Sequence, residues 1–204
     1  MRLLAATRSP GKQAEIRRIL AASGHEVVFP DEVGLWPVPE EDGLETAGSF
    51  AANAQRKAEH FARRSQLPTF ADDSGLEVLS LGGAPGVRSK RWAGAEGIEA
   101  EVDRANNAEL LRRLLGAPAP RRRARYRSVV VLLRTPEGVP ETFEGACQGT
   151  ILEAPRGTGG FGYDPLFLSD DLGKSFGEAS EEEKGGVSHR GRALRALLEA
   201  LGPA

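Results

Sequence analysis

The chain has a single cysteine, Cys147, among 204 residues. That count excludes an intrachain disulfide and argues against a cysteine-based zinc site. No stretch approaches the ~18 consecutive apolar residues of a membrane span. The opening residues, MRLLAATRSPGK, lack the long apolar run and cleavage site of a signal peptide, so a cytosolic protein is expected. Internal repeats, low-complexity tracts and clear linkers are also missing. A formal charge of −2 gives no overall attraction to nucleic acid or to an anionic membrane, so any polyanion site must rely on local cations. Asn, Gln, Cys and Met are scarce and arginine far outnumbers lysine, a profile that heat adaptation or a GC-rich genome would each produce. What is present is ordinary for a packed globular protein: 40% apolar and 27% charged residues, enough for one domain or one two-lobed α/β unit.

The chain reads as alternating strands and helices. Residues 1–7 form a short apolar strand. Ser9 as N-cap, Pro10 at the first helical position and Ile16, Ile19 and Leu20 at helical spacing predict a helix ending near Gly24. A second strand is expected at 25–29 and an irregular, proline- and acid-rich stretch at 30–48. A helix over 49–64 carries the apolar stripe Phe50, Ala54, Ala58 and Phe61. Two strands are predicted at 67–71 and 76–81, separated by Asp72, Asp73, Ser74 and Gly75. A glycine-rich loop at 82–86 leads to a helix over about 98–115. Strands at 125–134 and 139–147 form a hairpin. Ser180 and Glu183 have capping-box spacing, and Ser188 precedes a last helix through about Leu201. The class is α/β. The run RRRAR at 121–125 lacks an aromatic–glycine platform and flanks a predicted edge strand, where exposed charge discourages aggregation. Nucleic-acid binding is not expected.

Five segments hold residues suited to chemistry. TRSPGK at 7–12 lies between a strand and a helix, where free N–H groups and the helix dipole favour an anion. Gly11 permits close approach, and Lys12 puts a full positive charge where the dipole disfavours one. It is not a Walker A loop, and alone it would pass for an ordinary βα turn. Asn53 and Lys57, at i and i+4, share a helix face that could equally be a solvated polar face. Asp72 and Asp73 follow an apolar strand directly; their repulsion is relieved by a divalent cation such as Mg²⁺, or the pair is an acidic turn with capping roles. GTGGFGYDP at 157–165 combines permissive glycines with Phe161 and Tyr163, which could stack on a base, and Asp164, which could bond ring nitrogens; a tight turn with core aromatics is the alternative. Lys184, His189 and Arg190 offer donors for a carbonyl oxygen or phosphate, although a lone histidine is more often a packed residue.

In this order, ATRSPGK, ETAGSFAANAQRKA, LPTFADDSGLEVLSLGGAPGVRSKRWAG, GTGGFGYDPLF and EEEKGGVSHRGRAL resemble the inosine triphosphate pyrophosphatase family, the non-standard purine NTP pyrophosphatases. The resemblance spans residues 5 to 194. It implies an elongated mixed β-sheet with flanking helices, two lobes around a central nucleotide cleft, a single pyrophosphatase domain over 1–204, a homodimer and a requirement for Mg²⁺. It further implies that Thr7, Arg8, Ser9, Pro10, Gly11 and Lys12 form the phosphate loop and that Lys57, with Asn53 beside it, contacts phosphate. Asp73 would bind metal and activate water, Ser74 would touch substrate, and Glu45 would be a second metal-associated carboxylate. Phe161, Gly162, Tyr163 and Asp164 match the base-pocket segment, and Lys184, His189 and Arg190 the remaining nucleotide contacts. Two positions depart from the family pattern. Arg8-Ser9 stands where Gly-Asn is usual, and Leu44 precedes Glu45 where two glutamates are often adjacent.

The implied reaction splits ITP, dITP or XTP into a monophosphate and pyrophosphate. Donors aimed at the 6-oxo group of hypoxanthine or xanthine would meet the 6-amino group of adenine and be left unpaired. Rejection of guanine would have to involve its 2-amino group. The rival readings are a Maf-like pyrophosphatase acting on other modified nucleotides and a nucleotide-binding sensor without catalysis. The FGYDP and SHRG segments oppose the first, and the Asp72-Asp73 pair with Lys12 and Lys57 opposes the second.

Overall fold

The structure, a computed structural model, describes residues 1–203. Strands β1 (Arg2–Ala5) and β2 (Glu26–Val28) flank helix α1 (Pro10–Leu20). Helix α2 (Phe50–Ser65) precedes the long strand β3 (Thr69–Val78), and α3 (Glu99–Arg113) leads to β4 (Arg123–Leu133), β5 (Glu141–Ile151) and β6 (Phe167–Ser169). Helices α4 (Glu181–Val187) and α5 (His189–Leu201) close the chain. The strands form one mixed sheet in the order β2-β1-β3-β4-β5-β6. β1 runs parallel to both β2 and β3, whereas β5 and β6 are antiparallel.

The residues divide into two compact units. The first comprises Met1–Asp73, Ser128–Gly145 and the chain from Arg190 onward; the second comprises Ser74–Arg127 and Ala146–His189.

In the first unit, side-chain alternation along the strands builds two separate cores. Leu3, Ala5, Phe70, Val130 and Leu132 face Ile16 and Leu20 of α1 and Leu194 and Leu197 of α5. Leu4, Ala6, Ala71, Val131 and Leu133 face Ala54, Ala58 and Phe61 of α2. The alanines of α2 let the helix lie close to the sheet, and Ser49 caps its first turn by accepting from the Ala52 N–H at 3.2 Å, worth about 1 kcal/mol. Truncating one of the fully buried leucines to alanine would cost about 2–5 kcal/mol.

The core of the second unit gathers Leu76, Val78, Leu110, Leu114, Tyr126, Tyr163, Leu166, Phe167 and Phe176. The expected capping box is present: Ser180 accepts from the Glu183 N–H and Glu183 from the Ser180 N–H, at 3.1 and 2.8 Å.

Three expectations need correcting. The two strands predicted on either side of Asp72-Asp73 are one continuous strand, β3. Adjacent carboxylates survive inside it because they point to opposite faces, each toward its own donors. Next, the arginine run does not border an edge strand, since β4 lies between β3 and β5. Arg122 is buried and donates to the carbonyls of Ile151 and Leu114 at 2.6 and 2.9 Å. Arg123 pairs with Asp170 at 2.6 Å and Arg125 with Glu77, so most of the run ties the second unit together. Finally, α1 ends at Leu20 rather than near Gly24, and Ser9 occupies the N-cap without a side-chain capping bond.

Candidate active site

The face alternation of β3 decides which groups meet. Asp72 continues the Phe70 face, toward α1 and α5, and Asp73 continues the Ala71 face, toward α2. Lys12, in the first turn of α1, places its ammonium 3.1 Å from Asp72 Oδ2. Arg190, in the first turn of α5, places its Nε at the same oxygen, also at 3.1 Å, and reaches Glu15 with its other arm. Glu15, Asp72 and Arg190 are all at most 4% exposed. Burial alone would raise the Asp72 carboxyl, but Lys12, Arg190 and Lys57 outweigh it and hold the group well below the usual carboxylate range. Asp72 is therefore an ionised anchor.

On the opposite face, Asn53 donates its amide to Asp73 Oδ2 at 2.8 Å and accepts the Ala47 N–H at 2.8 Å. Lys57 bonds Glu45 at 2.6 Å and also donates to the Asp72 carbonyl. Burial pushes the Asp73 carboxyl up against the pull of Lys57 and Lys12, with Glu45 adding to the rise. Burial raises Glu45 too, but Lys57 and Lys12 overcome it and bring its carboxyl down to about 2. The two neighbouring carboxylates thus differ: Glu45 is a fixed charge and Asp73 an enhanced proton acceptor. Lys12 also reaches the Asp72 carbonyl, at 3.4 Å. Desolvation lowers the Lys12 ammonium, and Lys57 and Arg190 lower it further against the pull of Asp72. Two ammonium groups converging on one carbonyl oxygen attract an anion.

Asp73 and Glu45 also fit a hard divalent cation, because their mutual repulsion is the kind such an ion relieves. Among the described residues no group of three His, Cys, Asp or Glu could hold a metal. A cation here would complete its shell with phosphate and water oxygens, as Mg²⁺ commonly does.

The loop at 7–12 brings Thr7, Pro10 and Gly11 to the start of α1, with the Ser9 N–H on Thr7 Oγ1 at 3.3 Å. Arg8 does something else. Its guanidinium bonds Glu41 at 2.6 and 2.9 Å, the Leu35 carbonyl at 2.7 Å, and Asp31. Arginine in place of glycine fastens the irregular acid-rich stretch to α1's entry.

In the second unit, Asp164 and Lys184 form an ion pair at 2.6 Å, each side chain 3% exposed. Asp164 Oδ2 also accepts the Phe161 N–H at 2.8 Å, and the Lys184 ammonium stands 4.7 Å from the centre of the Phe161 ring. Phe161 and Gly162 are half-buried, as is Ser74 at the unit's start. The stacking expected of Tyr163 is not borne out: its ring is buried in the core and its hydroxyl donates to the Ser89 carbonyl at 2.8 Å. His189 is buried against Tyr126, with ring centres 4.6 Å apart and planes 8° from parallel. Glu15 was not among the expected residues. Its only sequence signal is the i, i+3 spacing from Lys12, which says nothing about Arg190, 175 positions away.

Residues 3–200 match the family model described as the Ham1 family. A dITP/XTP pyrophosphatase of Thermus thermophilus is 46% identical over 200 residues, covering 98% of this chain and 91% of that protein. One of Anaeromyxobacter is 44% identical, with 98% of both chains covered. Among solved structures, a HAM1 protein of Coxiella burnetii superimposes with a TM-score of 0.84 at 32% identity, covering 98% of each chain. A nucleoside-triphosphatase, dITP/XTP pyrophosphatase, of Mycobacterium abscessus gives 0.72 at 44% identity, covering 97% of this chain and 99% of that one.

Proposed function

The chain belongs to the Ham1 family, and on that premise we propose that it hydrolyses non-standard purine nucleoside triphosphates, dITP, ITP and XTP, to monophosphate and pyrophosphate. The supporting observation is the split of Asp72 and Asp73 between the two faces of β3. One carboxylate is committed to ordering cations, and the other is left with a raised proton affinity.

The first unit handles the triphosphate. Lys12 and Lys57 bind its oxygens, and their convergence offsets the charge that builds on the departing pyrophosphate. Asp73 orients a water and accepts its proton. The water oxygen bonds to a phosphorus of the α–β anhydride, and the electron pair of the broken P–O bond leaves with one of the two products. Asn53 holds Asp73 in place. Glu45 and Asp73 would hold Mg²⁺, which when bound neutralises phosphate charge and fixes the tail for in-line attack.

The second unit handles the base. Phe161 offers its ring face, while the Asp164–Lys184 pair and the His189 segment supply polar groups near a purine edge. Residues 1–204 are read as a single pyrophosphatase domain. A cytosolic homodimer, implied by the family resemblance, would be read by light scattering.

The test is pyrophosphate release from dITP, ITP, XTP, GTP and ATP, with Mg²⁺ and with EDTA. Metal-dependent release from the first three with GTP and ATP nearly inert is expected. A folded protein that releases pyrophosphate from none of them would overturn the reading.

A further inference from the structure

The base-facing loop is held from behind by a helix that carries none of the residues assigned above. Asp103 and Asn107 stand at i and i+4 on α3, hence on one face. Asp103 Oδ2 accepts the Gly162 N–H at 2.6 Å, and Asn107 Nδ2 donates to the Gly162 carbonyl at 2.8 Å. Both polar groups of one residue are thereby gripped by one helix. The preceding N–H, that of Phe161, is taken by Asp164, and the following side chain, Tyr163, is tied to Ser89.

Two consequences follow. Successive N–H groups in a glycine-rich turn ordinarily make an anion cradle, but at Phe161 and Gly162 both already donate to the protein's own carboxylates. These two N–H groups are therefore not free to cradle a phosphate. Gly162 has a φ of +63° and no atom within 4 Å of where a Cβ would stand. Its backbone is thus not confined by packing on that side, and the two bonds to α3 hold its peptides in place.

We propose that Asp103 and Asn107 are positioning residues that fix the Phe161 ring against the purine and so set base selectivity. The assignment rests on the pyrophosphatase reading and extends it to residues outside the substrate's reach. Alanine at Asp103 removes a hydrogen bond to a carboxylate, which frees the turn without touching the phosphate chemistry. KM for ITP should rise about tenfold while kcat changes less than about twofold. The preference for ITP over GTP should fall with it. Asp103→Asn keeps an acceptor for the Gly162 N–H and should restore both values. Asn107→Ala should shift KM the same way, and it carries the test if D103A folds poorly.

Amide exchange at Gly162 gives a readout independent of activity: slow in the parent protein and in D103N, faster in D103A. Unchanged exchange in D103A would overturn the grip itself. Faster exchange with KM and selectivity at parent values would overturn the role in selectivity. A parent protein inert on every nucleotide overturns the pyrophosphatase reading and the selectivity role with it, a result distinct from the other two.

Discussion

Replacing Arg190 with methionine should be among the most damaging single changes in the first unit. The guanidinium is 2% exposed and bridges Asp72 and Glu15, themselves 2% and 4% exposed. Methionine is shorter, unbranched and uncharged, so R190M takes the guanidinium away from two buried carboxylates. Lys12 still stands 3.1 Å from Asp72. Breaking a buried pair by removing one partner costs about 3–5 kcal/mol, or about 6–20 °C in Tm for a chain of this size. The effect has a pH signature. In the parent protein the Asp72 carboxyl lies below its ordinary value, so its stabilisation is complete above the unfolded pKa of about 3.9 and is lost as pH falls toward the folded value. In R190M the share of that stabilisation contributed by the guanidinium is already gone, so acid has less left to remove. The stability gap between the two proteins should therefore be widest near neutral pH and narrow in acid. Urea unfolding followed by circular dichroism at pH 7.5 and about 3, below the unfolded pKa, measures this directly. Adding E15Q to R190M should recover part of the loss, because a buried carboxylate that has lost its guanidinium is replaced by a neutral amide. A loss under about 1 kcal/mol at pH 7.5 would refute the argument from buried charge, as would an equal gap at both pH values.

Asp73→Asn should lower kcat by about 10²–10⁴ with Tm nearly unchanged, seen as pyrophosphate release alongside a thermal melt; turnover near the parent rate would remove Asp73 from the proton-accepting role. Lys57→Met should depress kcat/KM for dITP, ITP and XTP by the same factor, and a loss confined to one base would contradict a phosphate role. Asp164→Asn leaves the Lys184 ammonium buried without its carboxylate, a cost of about 3–5 kcal/mol that a denaturant titration would report. EDTA should abolish pyrophosphate release and added Mg²⁺ should restore it; undiminished release in EDTA would show that Asp73 and Glu45 work without a divalent cation.

Much of the architecture was legible because short-range rules governed it. Proline at the start of α1, serine at the start of α2 and the Ser180–Glu183 box marked helix entries locally, and apolar periodicity marked the rest. The misreading of Asp72-Asp73 as a break came from treating two charges as incompatible with a strand. The neutralising groups, Lys12, Lys57 and Arg190, come from three separate helices that no local window contains. Arg122 was misread for the same reason, since its partners are carbonyls brought near it only by folding. Tyr163 and Phe161 sit two residues apart in one motif, and nothing local distinguishes the ring that joins the core from the one left half-buried. The arrival of α3 behind Gly162 has no sequence signature at all, because Asp103 and Asn107 look like an ordinary polar helix face.

Asn53 shows how narrowly a buried side chain can be specified by hydrogen-bond polarity. Its carbonyl oxygen receives the Ala47 N–H and its amide nitrogen gives to Asp73, so the side chain needs an acceptor at one end and a donor at the other. Aspartate matches the shape but cannot donate while ionised, and it would set a second negative charge against Asp73. Leucine matches the volume and satisfies neither end; serine is too short to reach both; glutamine carries both groups one methylene too far. Of the common replacements none serves both ends at once, so the position tolerates far less than its size alone would suggest.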